Sequence, residues 1–495
     1  MNQTDVLIVG AGPSGLTMAI ELARRGISFR IVEKAETYFH GSRGKGIQPR
    51  TLEVFEDLGI VDPIKAAGMS FTFMRIHQPD GTFTDTPVFD KKEDCPHTPH
   101  PIGTLLPQFQ TESILRKKLE ELGGRVELDT QLDSLVQEEN FITASLTTHS
   151  EQIKIQAKYL VAADGGRSTI RKSLGVQFPG ASLGVRAFVA DVFIKNLSRD
   201  AWHRWGQSPM ESILICPLFS TNMFQVHAPI SMDGEVDLSP QGITDMIKKR
   251  TKRDDIVVDE VNWSSVYTMG AHLAEKYQVG RVLLVGDAAH THPPTGGQGL
   301  NTSIQDSYNL AWKLAAVLKG APQDLISTYE RERRPIASDM VNMTIKILED
   351  TKKGLPMRRD RDTQQLDLCY SDDVLTLKSN TVGGHLCGKR APDATMKTAA
   401  GPLVRVHELL KGAHWTLLGY EVSRGQIGNC EGVVVHVVGE QGDLLDEFGH
   451  FNSGYGVNSG TWVLVRPDNY VGAVVNADDI DELHLYLRKV GIKMQ

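Results

Sequence analysis

A glycine-rich turn near the N-terminus constrains the fold more strongly than any other feature of this sequence. Residues 4–9 (TDVLIV) form a short apolar run rich in β-branched residues, which predicts a buried strand, and the turn GAGPSG at 10–15 follows directly. Apolar residues then recur at helical spacing until Gly26, which is expected to end that helix, and a second strand over 27–32 leads to Glu33. This order predicts the first βαβ unit of a doubly wound α/β domain.

Each position of this unit suits the binding of a dinucleotide. Gly10 permits the tight turn, Gly12 lets the backbone approach a pyrophosphate, and Gly15 allows the helix to pack closely on the strand. The N–H groups at the start of the helix attract the anion. Glu33, which follows Gly12 by 21 residues, would accept hydrogen bonds from the adenosine ribose. The unit therefore predicts a dinucleotide site, and by itself it leaves FAD and NAD both open.

Two later segments also place an acidic residue directly after an apolar strand. They are ADGGRSTIR (163–171), with Asp164, and GDAAHTHPPTGGQGLN (286–301), with Asp287. The second leads into a long helix that we predict from about residue 301 to residue 318, because its apolar residues form a broad buried stripe. Since Glu33 also ends a strand, we expect the three segments to converge on one cofactor.

Together with GAGPSG, these segments resemble the class A flavoprotein monooxygenases of the aromatic-hydroxylase type, which share the para-hydroxybenzoate-hydroxylase-like fold. Their order and spacing agree with that family over most of residues 1–345, and SRGKGIQPRTLEVFEDLG (42–59), PQFQTESILRKKLEELG (107–123) and YERERRP (329–335) are further matches. The resemblance implies FAD as cofactor and NADPH or NADH as reductant. It also implies that no separate nicotinamide-binding domain is present.

The resemblance further implies which residues hold the ribose and ribityl portions of FAD. Glu33 would bind the adenosine ribose, while Arg43 and Gln108 would contact the ribityl–pyrophosphate portion. Asp287 would accept a hydrogen bond from a ribityl hydroxyl group.

The remaining implied contacts surround the flavin ring. N–H groups from Gly297 to Asn301 would face the pyrimidine edge, where a helix N-terminus favours the negative charge of reduced flavin. Asp164 and Arg171 would support a site shared by FAD and NAD(P)H. The complete predicted set of cofactor-binding residues is Gly10, Gly12, Pro13, Ser14, Gly15, Glu33, Lys34, Arg43, Gln108, Asp164, Gly165, Arg171, Gly286, Asp287, Pro294, Gly297, Gly299, Leu300 and Asn301.

The middle of the chain predicts a separate sheet. Strands are expected at 186–194, 212–218, 222–229 and 257–266. Such a sheet would be inserted into the FAD-binding domain, and the resemblance implies that it covers the flavin and binds the substrate. Met223, Gln225 and His227 share one strand face, which either lines a substrate cavity or faces solvent. The tryptophans of this region either stack on an aromatic ligand or pack in the core: Trp202, Trp205 and Trp263.

After about residue 346 the sequence changes character. A charged stretch with Pro and Gly predicts a linker, and the segments from His385 onward resemble the thioredoxin-like tail of the phenol-hydroxylase and polyketide-hydroxylase branch. The tail lacks C-x-x-C and is expected to be structural or to support a homodimer. It departs from the branch at Gly472-Ala473-Val474, where a Trp-Arg pair is usual.

The predicted fold class is therefore α/β: a Rossmann-like FAD-binding domain with an inserted antiparallel-sheet substrate domain and a C-terminal thioredoxin-like domain. The predicted divisions are 1–176 (FAD-binding domain, first part), 177–278 (substrate-binding sheet domain), 279–350 (FAD-binding domain, second part), 351–384 (linker) and 385–495 (thioredoxin-like domain).

Charge and cysteine usage exclude several classes of protein. Lys and Arg number 53 against 61 Asp and Glu, and no basic block stands out, which argues against a nucleic-acid or acidic-membrane partner. The N-terminal apolar stretch is interrupted by glycines and becomes charged, so neither a signal peptide nor a membrane span is expected. Five cysteines, none as close as C-x-x-C, exclude a disulfide scaffold and favour the cytoplasm.

Three local patterns suggest other chemistry and are set aside. Residues 180–184 spell G-x-S-x-G, but a predicted strand rather than a helix follows, so we expect a loop that enters a sheet. Cys95, His97 and His100 lack a fourth ligand at suitable spacing. For the histidines at 290 and 292, packing or a loop hydrogen bond is favoured over a metal pair. No metal is predicted.

The sequence thus predicts an FAD-dependent, NAD(P)H-consuming monooxygenase. By the resemblance, reduced flavin takes up O₂ as a C4a-hydroperoxyflavin and hydroxylates a phenolic or polycyclic aromatic substrate. Water must be excluded, and a base or hydrogen-bond acceptor should lie near the substrate hydroxyl, for which His227 and Tyr267 are the candidates. Baeyer–Villiger oxidation or epoxidation by the same flavin chemistry, or a flavin-binding scaffold without oxygenase turnover, remain alternatives. A flavin halogenase is disfavoured because W-x-W-x-I-P is absent.

Overall fold

The computed structural model describes residues 2–70, 72–88, 95–149, 151–206, 208, 210–353, 361–370, 375–377 and 382–493. Parts of the predicted linker, at 354–360, 371–374 and 378–381, lie outside the described residues. Within the described ranges the chain forms three large sheets, each with helices packed against it.

The elements of the first 176 residues begin and end as follows. In chain order they are β1 (Asn2–Val9), α1 (Pro13–Arg24), β2 (Phe29–Val32), β3 (Gly46–Ile47), α2 (Pro49–Asp57), α3 (Val61–Ala67), β4 (Phe73–His77), β5 (Phe83–Pro87), β6 (Thr104–Leu105), α4 (Gln108–Glu121), β7 (Val126–Glu127), β8 (Thr130–Gln137), β9 (Ile142–Thr148), β10 (Glu151–Ala162) and α5 (Thr169–Ser173). The predicted first strand and helix are confirmed, and Gly26 adopts the left-handed conformation, with φ +66°, just beyond the helix.

Residues 180–353 supply the second group of elements. They are β11 (Gly180–Lys195), β12 (Ala201–Trp205), β13 (Ile213–Pro217), β14 (Phe224–Ile230), α6 (Pro240–Thr251), β15 (Val257–Leu273), β16 (Gln278–Val279), β17 (Val282–Leu284), β18 (His290–Thr291), α7 (Gly299–Leu318) and α8 (Asp324–Lys352). A single 3₁₀ turn, Gly286–Ala288, lies between β17 and β18.

The first sheet carries the three predicted cofactor motifs. Its order is β16-β17-β10-β1-β2-β7, with β8 and β9 attached beside β10, and β17, β10, β1 and β2 run parallel. Val6, Leu7 and Ile8 are fully buried, because helices and loops cover both faces of a parallel sheet. Gly10, Glu33, Asp164 and Gly286 follow the ends of four neighbouring parallel strands, so they meet at one edge of the sheet.

The second sheet has the order β18-β15-β11-β14-β13-β12-β4-β5. The four predicted strands are present in it as β11, β13, β14 and β15. The assignment of all residues of 1–176 to the FAD-binding domain was wrong for 73–87, because β4 pairs with β12 and extends this sheet. The β4–β5 hairpin lies at the sheet edge with half-buried and exposed side chains, so it lacks the apolar alternation that reveals a strand.

The G-x-S-x-G segment lies within β11, which begins at Gly180. The expectation of a loop entering the sheet was therefore wrong. The pairing register with β15 shifts between Ser182 and Arg186, so the strand starts with an irregularity rather than a loop. A strand continues from this segment, whereas a nucleophile elbow requires a helix there.

The C-terminal part forms a mixed sheet of its own. Its elements, preceded by α9 in the linker region, are α9 (Arg361–Gln364), β19 (Thr395–Thr398), β20 (Leu403–Arg405), α10 (Val406–Leu409), β21 (Trp415–Tyr420), β22 (Val433–Val438), β23 (Leu444–Leu445), α11 (His450–Tyr455), β24 (Thr461–Val465), β25 (Val471–Asn476) and α12 (Ile480–Lys489). The sheet order is β20-β19-β23-β22-β21-β24-β25, with β21 parallel to β22 and antiparallel to β24. This mixed sheet is consistent with the thioredoxin-like prediction. None of the five cysteines, all within the described residues, is in a disulfide.

Gly472 gives a physical reason for the departure from the Trp-Arg pair. A Cβ atom at this position would lie 2.7 Å from the Tyr486 hydroxyl and 3.3 Å from Cγ of Arg466. Tyr486 and Arg466 thus occupy the space into which a side chain at 472 would project, and both are buried.

Residues 361–370, which lie in the predicted linker at 351–384, include a stretch that packs against the FAD-binding domain. Four consecutive residues of this stretch are buried: Thr363, Gln364, Gln365 and Leu366. Nε2 of Gln365 donates to Oε1 of Gln298 (2.8 Å) and to the Thr302 hydroxyl (2.9 Å), and Nε2 of Gln305 donates to Oε1 of Gln365 (2.6 Å). We call residues 361–366 the strap, because these hydrogen bonds fasten the stretch to the start of α7.

Buried charges join the C-terminal part to the FAD-binding domain. Arg466 donates to both carboxylate oxygens of Glu332 (2.6 and 2.9 Å) and also pairs with Asp468 (2.7 Å). On α2, Glu53 pairs with Arg390 at 3.0 Å, and Glu56 pairs with Arg405. Within the described residues, no helix combines the length and apolar character that crossing a bilayer requires.

Candidate active site

Close packing between glycine backbones and neighbouring atoms brings the three motifs together. A Cβ atom on Gly15 would lie 1.9 Å from the Gly10 carbonyl oxygen and 3.4 Å from Cβ of Ala163, next to Asp164. A Cβ atom on Gly286 would lie 2.4 Å from the Ser14 hydroxyl oxygen, and Gly286 has φ +60°. The first motif therefore contacts both of the others, as the sequence predicts.

Gly12 is the exception, and it marks the space for a ligand. A Cβ atom there would meet no protein atom within 4 Å, although its neighbours are tightly packed. Gly12 is also the N-cap of α1, where no side chain caps the exposed N–H groups. Beside it, Oε2 of Glu33 accepts a hydrogen bond from the Ala11 N–H (3.0 Å), and Lys34 is exposed. An open glycine, uncapped N–H groups and an adjacent carboxylate fit the pyrophosphate and ribose of a dinucleotide.

Asp164 and Arg171 make hydrogen bonds that brace the loops of this site. Oδ2 of Asp164 accepts from the N–H groups of Thr169 (2.9 Å) and Ile170 (3.2 Å), while its Oδ1 is buried without a hydrogen-bond partner in the described structure. The Arg171 guanidinium donates to the carbonyls of Ala288 (2.8 Å) and Gly166 (3.0 Å). Arg171 therefore ties the second motif to the third.

Arg43, Gln108 and Asp287 lie around one side of the groove. The Gln108 N–H donates to the Gly44 carbonyl (3.0 Å), which brings it beside Arg43. Arg43 is exposed, and Asp287 is exposed on the 3₁₀ turn, so both side chains can reach a ligand.

The glycine-rich loop at 294–301 has the geometry expected of a flavin contact. Gly297 adopts a left-handed conformation (φ +63°) and donates to the Pro294 carbonyl (3.2 Å). Helix α7 starts at Gly299 without a side-chain cap, so its positive N-terminal end is available to a negatively charged group. Leu300 lies near Gly44: a Cβ atom added at Gly44 would be 3.8 Å from Cβ of Leu300.

Asn301 fastens this loop to residues 42–48, which we call the bridging segment. Its Oδ1 accepts from the Gln48 N–H (2.8 Å), and its Nδ2 donates to the carbonyls of Gly46 (2.9 Å) and Gly297 (2.8 Å). Asn301 is fully buried, so all three bonds are shielded from water.

Both loop histidines make hydrogen bonds within the fold. Nε2 of His290 bonds to Oδ2 of Asp306 (2.7 Å), which also accepts from the Gly286 N–H (3.1 Å), and Oδ1 of Asp306 accepts from Arg333 (2.8 Å). Nδ1 of His292 bonds to the Pro293 carbonyl (2.7 Å), and burial lowers the pKa of His292 to about 4. Asp306 thus positions the turn that carries Asp287.

The other metal candidates separate in space. Nδ1 of His97 bonds to the Asp393 carbonyl (3.1 Å) in the C-terminal part, whereas His100 bonds to Glu56 (3.0 Å). Cys95 is exposed. Among the described residues, no three His, Cys, Asp or Glu side chains are grouped as a metal site would require.

The bridging segment also contacts the second sheet. Nζ of Lys45 donates to Oε1 of Gln225 (2.6 Å), and Nε2 of Gln225 donates to the Ser42 carbonyl and to Asp191 (3.5 Å). Gln225 is 6% exposed, so the alternative of a solvent-facing strand was wrong at this position. Burial raises the pKa of Asp191 to about 6. The face of β14 that carries Gln225 and His227 is therefore turned toward the FAD-binding domain.

His227 and Tyr267, the two predicted candidates, are hydrogen-bonded to each other. Nε2 of His227 lies 2.7 Å from the Tyr267 hydroxyl, and the two residues come from β14 and β15. Burial, with the positive charges of Lys45 and Arg250, lowers the pKa of His227 to about 4. Burial raises the pKa of Tyr267 well above its ordinary value. Both groups are therefore uncharged at neutral pH.

Trp202 and Trp205 pack in hydrophobic clusters of the second sheet, whereas Trp263 lies where this sheet meets residues 39–41. Trp202 lines an apolar hollow with Lys45, whose Nζ lies 4.6 Å from the ring centroid. Trp205 packs in the core of the second sheet, and Trp263 lies against Phe39 with ring centroids 5.4 Å apart. A Cβ atom on Gly41 would lie 2.2 Å from the Trp263 ring, so that tryptophan helps the sheet dock on the FAD-binding domain.

Sequence reasoning missed several polar residues of the site. Lys45 and Gln48 lie within the quoted segment 42–59, but their partners lie far away in sequence. Asp306 lies among polar residues of α7, and its burial could not be expected from its neighbours. Asp191 interrupts an apolar stretch of a strand, and such an acid signals a buried partner. That signal was available in the sequence.

Comparison with known proteins agrees with this geometry. The sequence matches the FAD binding domain family over residues 3–344 and the aromatic-ring hydroxylase C-terminal family over residues 384–490. A flavin-dependent monooxygenase of Mycobacteroides abscessus is 36% identical over 485 residues, covering 95% of this chain and 97% of the relative.

Two further relatives cover nearly the whole chain. Pentachlorophenol 4-monooxygenase of Sphingobium chlorophenolicum is 29% identical and covers 97% of this chain and 95% of the relative. The crystal structure of aklavinone-11 hydroxylase with FAD and aklavinone has a TM-score of 0.87 at 26% identity, with 99% of each chain covered. The chain therefore belongs to the FAD-dependent monooxygenase family that combines an FAD binding domain with an aromatic-ring hydroxylase C-terminal domain.

Proposed function

We propose that this monooxygenase hydroxylates a phenolic or polycyclic aromatic compound in the space between the second sheet and the glycine-rich loop. One observation carries the proposal: the His227–Tyr267 pair and Gln225 lie on the sheet face that docks on the bridging segment, and this segment also binds Asn301. The relatives named above act on or bind aromatic compounds, pentachlorophenol and aklavinone, which supports the same substrate class.

The residues of the groove would hold FAD in the manner that the resemblance implies. Glu33 would bind the adenosine ribose, the backbone around Gly12 the pyrophosphate, and Asp287 a ribityl hydroxyl, with the start of α7 at the pyrimidine edge. When bound, FAD supplies the electron transfer from NADH or NADPH and the activation of O₂. The uncapped N-terminus of α7 would stabilise negative charge at that edge.

The His227–Tyr267 pair would orient the substrate by hydrogen bonding rather than by removing a strongly held proton. His227, with a pKa of about 4, is a weak base at neutral pH, and Tyr267 stays protonated. An uncharged donor–acceptor pair can bind a substrate hydroxyl or carbonyl without placing a second charge beside it. Apolar walls, including Trp202, would help to exclude water.

Product analysis under ¹⁸O₂ tests the proposal. Purified FAD-loaded enzyme with NADPH or NADH and a panel of phenols and polycyclic phenols should give a ring-hydroxylated product that carries one ¹⁸O atom, and the substrate should accelerate NAD(P)H oxidation. A lactone or an epoxide would instead assign Baeyer–Villiger oxidation or epoxidation, which use the same flavin site. If no compound gives labelled product or accelerates NAD(P)H oxidation, a flavin-binding scaffold is the better description. A homodimer stays a prediction.

A further inference from the structure

The motif YERERRP at 329–335 has no part in the proposed function, yet it carries a fully buried arginine, Arg333, on α8. Nε of this arginine donates to Oδ1 of Asp306 (2.8 Å), and Nη2 donates to the Thr302 carbonyl (3.3 Å), both on α7. Nη1 donates to the Tyr370 hydroxyl (3.1 Å). Each nitrogen of the guanidinium group therefore has a partner.

The carboxylate that Arg333 contacts also holds the turn that carries Asp287. Oδ2 of Asp306 accepts from the Gly286 N–H (3.1 Å) and bonds to Nε2 of His290 (2.7 Å), so one carboxylate holds residues on both sides of Asp287. Burial alone would raise the pKa of Asp306, but His290 and Arg333 hold it below its ordinary value. The carboxylate is therefore ionised at neutral pH and is a strong acceptor for the turn.

Tyr370 lies in the predicted linker and is fastened to the C-terminal part. Its N–H donates to the Gly388 carbonyl (2.8 Å), and its ring packs on the Tyr470 ring with centroids 4.2 Å apart. Cζ of Arg466 lies 5.1 Å from the centroid of the Tyr370 ring. The C-terminal part therefore holds in place a hydroxyl group whose hydrogen bonds lead to the Asp287 turn.

This hydroxyl group helps to set the orientation of Arg333. A guanidinium group is planar and rigid, so three partners in fixed directions specify one orientation. Without the hydroxyl of Tyr370, the guanidinium would turn toward its remaining acceptors and displace the carboxylate of Asp306. Because the network is buried, water would not take the place of the lost partner.

We propose that Tyr370 and Arg333 are positioning residues for FAD, through which the C-terminal part holds the Asp287 turn in the shape that binds the ribityl chain. The inference rests on the FAD contact proposed for Asp287, and it is independent of the substrate. It gives the C-terminal domain, which lacks C-x-x-C, a role in the cofactor site.

A double-mutant cycle on the full-length holoenzyme tests the inference. Tyr370→Phe removes one hydroxyl group and keeps the ring, whereas Asp306→Asn removes the charge through which Arg333 acts. The dissociation constant of FAD is measured for wild type, both single variants and the double variant, from the rise in flavin fluorescence when holoenzyme is diluted. If Asp306→Asn does not fold, Arg333→Lys replaces it in the cycle, because an ammonium group cannot contact three partners in the directions of a guanidinium.

Tyr455→Phe is the matched control. Tyr455 is also a buried tyrosine of the C-terminal part, and its hydroxyl donates to the Pro392 carbonyl (2.8 Å), outside the network of Arg333. The substitution therefore removes a buried hydroxyl group from the same domain and should leave FAD binding like that of wild type.

We expect Tyr370→Phe to raise the FAD dissociation constant about 3- to 10-fold, part of the cost of losing a hydrogen bond to a charged group. Asp306→Asn should raise it about 10- to 100-fold, because the turn then loses a charged acceptor. In the Asp306→Asn background, Tyr370→Phe should change the constant by less than about twofold, since residues that act through one network are not additive.

Three results would overturn the inference. They are wild-type FAD affinity in Tyr370→Phe, additive effects of the two substitutions, and an equal loss of affinity in Tyr455→Phe. Additive effects would mean that Tyr370 acts on FAD without Asp306. An equal loss in the control would mean that any weakening of the C-terminal part loosens FAD.

Asp287→Asn separates this inference from the proposed function. If Asp287→Asn weakens FAD binding and Tyr370→Phe does not, the proposed FAD contact stands and the inference is wrong. If Tyr370→Phe weakens FAD binding and Asp287→Asn does not, both the inference and that contact are wrong. If the cycle gives the expected result but no compound yields hydroxylated product, the inference stands and the proposed hydroxylation is wrong.

Discussion

Glu112 is a buried glutamate whose pKa is raised by its surroundings. It is 2% exposed on α4 and accepts a hydrogen bond from Nε2 of Gln108 (2.8 Å). Burial raises the pKa of Glu112 from 4.5 to about 7, with Glu33 adding to the rise and Arg116 and Arg43 opposing it. The carboxyl group is therefore mostly protonated between its ordinary pKa and pH 7, a range in which an exposed glutamate is ionised.

Glu112→Gln should stabilise the protein at alkaline pH and leave it almost unchanged at acid pH. A group whose folded pKa is raised contributes stability below its unfolded pKa and loses it as pH rises through the folded pKa. With a shift from 4.5 to about 7, the lost stability above pH 7 is about 3 kcal/mol. Urea unfolding of wild type and variant at pH 5 and pH 8 measures the difference.

Glu120→Gln, an exposed change on the same helix, serves as the control for this measurement. It should show no such pH dependence. If Glu112→Gln and wild type have the same free energy of unfolding at pH 8, ionising Glu112 costs the folded protein little stability.

Sequence reasoning at this scale reaches furthest where a residue's local structure depends on its neighbours in the chain. The turn at Gly12 and the strand end before Glu33 could be predicted, because strand, turn and helix surround them within 34 residues. The Lys45–Gln225 contact could not be predicted, because it joins residues 180 positions apart and nothing local indicates the pairing. For Gln225 the sequence predicts only that it shares a strand face with Met223 and His227.

The strap is the element whose structure differs most from expectation. Its composition, charged and polar, is typical of a linker, yet Gln365 forms three buried amide and hydroxyl hydrogen bonds at the start of α7. The strap also accepts from Nε2 of Gln298 through the Thr363 carbonyl (2.9 Å). Polar residues can be buried in this way when each has a partner, and a pattern of hydrophobicity does not reveal it.

Gln365→Ala should weaken FAD binding by loosening the loop that ends at Gln298. Gln365 has φ +61°, and alanine keeps the Cβ atom and its backbone strain, so the substitution removes the Cγ methylene and the amide without changing the backbone preference. Three polar groups would then lose a buried partner, and we expect the FAD dissociation constant to rise about 5- to 50-fold. Titration of apoenzyme with FAD, followed by flavin fluorescence, measures it.

The exposed neighbour Asp362→Asn is the control for the strap and should bind FAD like wild type. If Gln365→Ala lowers the midpoint of unfolding without changing FAD affinity, the strap stabilises the fold alone and does not order the cofactor loop.

At the scale of the whole molecule, the order of the domains was predictable and their docking was not. The motifs fixed the position of the FAD-binding domain, and the change in composition after residue 346 marked the C-terminal part. The charges of α2 lie in a segment that resembles the family, but nothing local indicates that Glu53 pairs with Arg390, 337 positions later. The same distance in sequence concealed the contact of Arg466 with Glu332.

Arg466→Met should destabilise the holoenzyme strongly. Its guanidinium forms four buried hydrogen bonds, two with Glu332 and two with Asp468. Without it, two buried carboxylates would share the single positive charge of Lys313, which pairs with Glu332 at 2.6 Å, and the amide of Asn309. Such losses cost about 3–5 kcal/mol. Chemical denaturation monitored by flavin fluorescence and by circular dichroism should show a lower midpoint by both signals.

Lys397→Met removes an exposed partner of Glu447 in the same domain and is the control for this prediction. It should cost no more than about 1 kcal/mol. If Arg466→Met also lowers the free energy of unfolding by no more than about 1 kcal/mol, the buried ion-pair network does not stabilise the protein as we predict.

The ion pairs between the FAD-binding domain and the C-terminal part limit which domains can be exchanged between family members. An exchange of the C-terminal domain between family members would bring a foreign set of arginines against the acidic side chains of α2 and α8. A chimera with its crossover in the strap would therefore take the acidic partners of these ion pairs from one protein and the arginines from another. Helix α2, helix α8 and the C-terminal domain should therefore be taken from the same parent protein.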